Sequence, residues 1–192
     1  VSKSVDGSDV LNRVCNAIDN GSLPEASAIL ARDYPFTPLA NVGRHYSPLQ
    51  CMQVFARDGF IDRYSGRHLI FPGTLRLVSM LLPREFPFHK NWKTDSCHFA
   101  FYELFPTIDH LIPVSRGGAD SEDNRVTTSM IRNAAKSNFT IQELGWSLLP
   151  AGDLNEWDGL TRWFLQQVTI RKELREGYFR TWGDAAKSVL AV

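Results

Sequence analysis

Apolar residues recur at helical spacing in several separate stretches of the chain. Over residues 9–18, Val10, Leu11, Val14, Ala17 and Ile18 share one side of a helix, with Ser8 or Asp9 as its cap and Asn20-Gly21 as its stop. Pro24 suits the first turn of a second helix carrying Ala28, Ile29 and Leu23, ended by Tyr34-Pro35, so the two make a helical hairpin. Residues 35–48 read as an irregular linker. Residues 48–57 and 74–82 return to helical spacing, the first through Leu49, Met52, Val54 and Phe55, the second stopped by Pro83. Between them GFIDRYSGRHLIFPG places apolar residues on both sides of Ser65-Gly66, which predicts two short strands joined by a tight turn. Late in the chain, residues 157–174 and 178–190 predict two more helices, and Thr140 to Glu143 could cap a short one ending at Gly145.

Two stretches depart from these patterns. Residues 83–106 are crowded with Phe86, Phe88, Trp92, Phe99, Phe101, Tyr102 and Phe105. Such rings beside His89, Lys90 and Lys93 could stack on bases, but core or a lid over the core is the better reading. Residues 107–138, TIDHLIPVSRGGADSEDNRVTTSMIRNAAKSN, are mostly polar after Val114 and reverse direction at Gly117-Gly118. That is the pattern of a site.

A chain of 192 residues with 43% hydrophobic residues suits one folded domain with appendages. The 21 Lys+Arg balance 21 Asp+Glu, so any nucleic-acid surface must be a local patch. The basic residues Arg162, Arg171, Lys172 and Arg175 alternate with Glu173 and Glu176, as on a solvated face. Cys15, Cys51 and Cys97 are widely separated, which argues against a disulfide framework and a thiolate zinc site. The start lacks a signal-peptide core, and LRLVSMLLP is too short to span a bilayer; the expectation is a cytoplasmic protein with no membrane partner.

Within residues 107–138, the residue types fit phosphodiester hydrolysis, which needs an activated water and a cation near the developing charge. His110 can take a proton near neutral pH, and the Asp109 carboxylate is a hard ligand of the kind Mg²⁺ prefers. Neighbours on a regular strand face opposite sides, so either one of the pair reaches the cation from the side or the strand is distorted. A helix over residues 129–138 would put Asn133 and Lys136 on one face, the amide completing the metal's shell. Lys136 would neutralise a phosphate or lie on the surface. Asn124, in the turn before that helix, would hold the loop closed against the His110 strand.

The segments IDHLIP, SRGG, EDN and RNAAK, in this order and spacing, resemble the HNH nuclease motif. The resemblance implies a ββα-metal element, a two-stranded ribbon and a helix gripping one divalent ion, Mg²⁺ or Mn²⁺. It makes His110 the general base, Asp109 and Asn133 metal ligands, and Asn124 the asparagine that steadies loop and base. Asn133 replaces the final histidine, as in the similar HNH domain of RNA-guided DNA nucleases. Many members also carry two cysteine pairs; here Asp62 and Ser65 stand at the first and Ser129 and Arg132 at the second. No structural zinc is therefore expected, and Asp62 and Arg132 are expected to approach as an ion pair at that position. The insertion between Gly66 and Asp109 is the natural place for target recognition or a lid, with His89 and His98 in structural roles.

The expectation is thus an α+β fold: an N-terminal helical extension (residues 1–47), an HNH core with an aromatic insertion (48–145) and a C-terminal helical extension (146–192), packed as one compact unit. The expected activity is metal-dependent endonucleolytic cleavage of DNA, leaving 5′-phosphate and 3′-hydroxyl ends. A homodimer would suit double-strand cutting. A silent nucleic-acid-binding module on the same fold and a nuclease acting on RNA remain as alternatives.

Overall fold

A computed structural model describes residues 6–36, 38, 43 and 45–190, and the chain divides into two units, residues 1–40 and residues 41–192. In the first unit, α1 (Gly7–Asp19) is capped by Asp6, whose carboxylate accepts from the Ser8 amide at 2.9 Å. It packs on α2 (Leu23–Asp33) through Val10, Val14, Ala17 and Ala26, with Ile29 and Leu30 partly covered. Leu11 and Ile18, predicted on the same apolar face, are about half exposed. Most of the predicted linker lies outside the described residues.

The second unit begins its regular structure at α3 (Pro48–Arg57), where Ser47 and Gln50 form a reciprocal capping box ahead of Pro48. Its buried face, Met52 and Phe55, meets α4 (Pro72–Leu81), α7 (Thr161–Ile170) and α8 (Gly177–Leu190) in the main core. Phe71, Phe164 and Trp182 fill its centre, with Phe55 stacked on Trp182 at 6.5 Å. Ile108 of the ribbon packs against the same core, so the site is anchored to a helical scaffold.

The ribbon itself is β1 (Pro106–His110) paired antiparallel with β2 (Arg125–Ser129), placing His110 opposite Arg125 and Asp109 opposite Val126. α6 (Met130–Lys136) follows β2 directly, with Ser129 as its side-chain cap. Short α5 (Ala100–Leu104) precedes β1 and closes the aromatic insertion. There the rings pack on one another: Phe88 lies 4.9 Å from Phe101, and Trp92 lies 5.1 Å from Phe105. His98 stacks on Phe86 and accepts from the Ala100 amide, and His89 accepts from the Asn91 amide. The architecture is α+β. Among the described residues no helix is long and apolar enough to cross a membrane.

Two predicted elements differ. Residues 59–73 do not form a two-stranded hairpin; a single bridge joins Ile61 and His68. The Asp62 carboxylate, 1% exposed, ties this segment to the end of β2: it accepts from the Tyr64 and Ser129 amides, both at 3.0 Å, and from the Thr128 hydroxyl at 3.1 Å. Arg132 does approach Asp62, at 3.9 Å, but these shorter bonds carry the junction. Asp58 is a second hub, accepting from Arg57, from Arg63 at 2.8 Å and from the Thr127 amide at 2.7 Å, and so tying α3 to β2. Second, Thr140 and Glu143 form their capping box, yet Gly145, at φ +65°, ends the segment after one turn, too short to propagate.

Asp62→Ala would strand buried donors on two elements at once. It is expected to cost on the order of 3 kcal/mol of stability, read as a lower denaturant midpoint at unchanged slope. A midpoint matching the unsubstituted protein would refute this role for the carboxylate.

Candidate active site

The ribbon, its connecting loop and α6 enclose a cleft of about 400 Å³ lined by Asp109, His110, Asn133, Ser115, Ser137 and Tyr46. Asp109 and His110 both reach it, although they are adjacent on β1. His110 is the last residue of the strand, and beyond it the Leu111 amide bonds back to the Asn124 carbonyl.

Asp109 is buried at 7% exposure; its Oδ2 accepts from the Tyr64 hydroxyl at 2.6 Å and forms an ion pair with Lys136 Nζ at 3.0 Å. Burial, and then the Asp109 charge, push the Tyr64 hydroxyl far above its ordinary range, so it stays a proton donor. Lys136 was expected to face a phosphate or solvent; it is instead fully buried, and its amine also donates to the His110 carbonyl at 2.7 Å. The reason is electrostatic: a carboxylate out of water needs a charge partner, and Lys136 on α6 is the one within reach.

Asn133 donates both amide hydrogens to β1, to the Thr107 hydroxyl at 3.0 Å and the Ile108 carbonyl at 3.1 Å. That orients its oxygen away from the strand. Among the described residues neither Asn133 Oδ1 nor Asp109 Oδ1 accepts a hydrogen bond, and neither is a buried orphan. Two oxygens at one polar cleft fit a hard divalent cation that keeps several waters. Among the described residues there is no cluster of three or more His, Cys, Asp or Glu able to hold a metal.

Asn124 pins the loop: its oxygen accepts from the Ile112 amide, and its nitrogen donates to the Ile112 and Ala119 carbonyls, all within 2.9 Å. The turn needs glycine twice, because Gly117 sits at φ +90° and a Cβ on Gly118 would lie 2.0 Å from the Ile112 carbonyl oxygen. The loop returns Asp120 to His110. Asp120 Oδ1 lies 2.8 Å from His110 Nε2, and it accepts from the Tyr46 hydroxyl at 2.6 Å and from Arg125 Nε at 2.9 Å. Arg125 first, then Tyr46, hold Asp120 well below the usual carboxylate range.

The model of the HNH endonuclease family matches residues 101–141, from α5 through the ribbon and α6. Over this segment the chain is similar to the HNH endonuclease family. No curated protein and no solved structure matches the chain. HNH endonucleases act on nucleic acids, so the match suggests nuclease activity. It ends short of three residues that shape the HNH site here: Tyr46, Asp62 and Tyr64 lie upstream of the matched segment. Sequence reasoning missed Tyr46, Tyr64, Asp120 and Arg125. For Arg125 a signal existed, since pairing the two strands of the motif sets the residue after Asn124 opposite His110.

Proposed function

We propose that this cleft hydrolyses phosphodiester bonds of DNA with one divalent ion, Mg²⁺ or Mn²⁺. The observation that carries the reading is the convergence of Asp109, His110 and Asn133 on one polar cleft inside the family-matched segment. Bound at Asp109 and Asn133, the ion would offset charge developing on the phosphoryl group and the departing 3′ oxygen. His110 takes a proton from the attacking water as its oxygen bonds to phosphorus and the bond to the 3′ oxygen breaks. Tyr64 and Lys136 hold the Asp109 carboxylate in place. Asn124 and the two glycines fix the loop that bounds the cleft. Lys136 has a supporting part in this reading, at Asp109 and not at phosphate.

The expected result is nicking or linearisation of plasmid DNA in Mg²⁺ or Mn²⁺, abolished by EDTA and restored by added ion. RNA of matched length, digested in parallel, is expected to be cut more slowly; faster cutting of RNA would move the substrate assignment. No cleavage of either polymer under any divalent ion would overturn the proposal.

A further inference from the structure

His110 has two ring nitrogens, and only the one holding a lone pair can take a proton from water. Which nitrogen that is depends on what the other one faces. Nε2 faces Asp120 Oδ1 at 2.8 Å and the Tyr46 oxygen at 3.2 Å. Tyr46 gives its hydroxyl proton to Asp120, which leaves the phenol oxygen as an acceptor towards the ring. An ionised carboxylate accepts only, so neither neighbour can donate to Nε2. Both therefore require hydrogen on Nε2, and in the neutral ring the lone pair then sits on Nδ1.

We propose that Asp120 is a positioning residue for His110: it holds the imidazole in the Nε2–H tautomer, with Tyr46 and Arg125 fixing the carboxylate in turn. This rests on the nuclease reading above and adds to it the group that orients the base. Three polar groups, the Tyr46 hydroxyl, His110 Nε2 and Arg125 Nε, converge on one oxygen of Asp120, and they come from three places in the chain. Arg125 stands opposite His110 in the ribbon, so the loop between them closes where the carboxylate must be. The Arg125 guanidinium also lies over the Tyr46 ring at 4.9 Å, which keeps the phenol in line. Tyr46 sits just before α3, so the helical scaffold that anchors the ribbon also supplies a partner for its base.

The test uses the full chain and two readouts. Long-range ¹H–¹⁵N spectra in mildly alkaline buffer, with His110 assigned by its loss in His110→Gln, should show the Nε2–H tautomer. Asp120→Asn keeps the shape but adds an amide donor, and should move His110 towards the Nδ1–H tautomer. Its kcat on DNA should fall about a hundredfold or more, with KM within about threefold. Asp120→Glu, which keeps the carboxylate, should regain part of that loss, and Tyr46→Phe should lower kcat by less than Asp120→Asn. An Nδ1–H tautomer in the unsubstituted protein would overturn the proposal, and so would an Asp120→Asn kcat within threefold of normal. If the unsubstituted protein cuts no nucleic acid, the nuclease reading fails, while the spectra still decide whether Asp120 sets the tautomer.

Discussion

His110→Ala is expected to lower nucleic-acid cleavage by about 10²–10⁴-fold, the range supplied by a positioned general base. The fold should survive, because the structural work at this position is done by the main chain. The His110 backbone pairs with Arg125 in the ribbon, and its carbonyl accepts from Lys136; both contacts remain in the alanine variant. Asp120, relieved of the imidazole, keeps Arg125 and Tyr46 as donors. Two measurements check this together: cleavage under single-turnover conditions, and thermal unfolding, which should stay within a few degrees of normal. DNA affinity should change little. Cleavage within tenfold of normal would remove His110 from the role of base.

Lys136→Met is expected to destabilise the protein by on the order of 3–5 kcal/mol, the usual cost of breaking a buried ion pair from one side. Methionine fills much of the same volume but leaves Asp109 Oδ2 with Tyr64 alone and the His110 carbonyl without its amine donor. A lysine on the surface would behave differently, since such substitutions mostly fall within about 0.5 kcal/mol. Urea denaturation distinguishes the two outcomes directly. A midpoint unchanged by the substitution would refute the buried ion pair between Lys136 and Asp109.

The helices and the ribbon were legible because their sequence signals are local. Apolar spacing marks α1, α3, α4, α7 and α8, and the order of IDHLIP, SRGG, EDN and RNAAK marks the first strand, the loop, the turn that leads into the second strand, and the helix. The predicted hairpin at 59–73 shrinks to one bridge and the Asp62–Arg67 and Leu69–Phe60 backbone bonds, while the Asp62 carboxylate accepts from Thr128 and Ser129 of β2, a long-range contact that periodicity cannot register. Lys136 was misjudged because lysine reads as polar in any pattern, and its burial follows only once Asp109 is known to be buried too. Tyr46 lies 64 residues before its contact at His110, and no spacing rule connects them. Asp120 was in view throughout, but a loop aspartate is ordinarily solvated. Its role depends on where the Gly117-Gly118 turn sends the chain.

The supports of the cleft are not contiguous in the chain. Tyr46, Asp62 and Tyr64 come from before the aromatic insertion, and the ribbon and helix from after it. A graft of residues 101–141 alone into another scaffold would carry the HNH signature and still lose the phenol that holds Asp109 and the carboxylate that clasps the end of β2. A graft would need at least residues 45–66 together with 101–141, and an apolar surface to replace the core on which Ile108 packs. Engineering that treats the signature as the whole device would transplant its label without its frame.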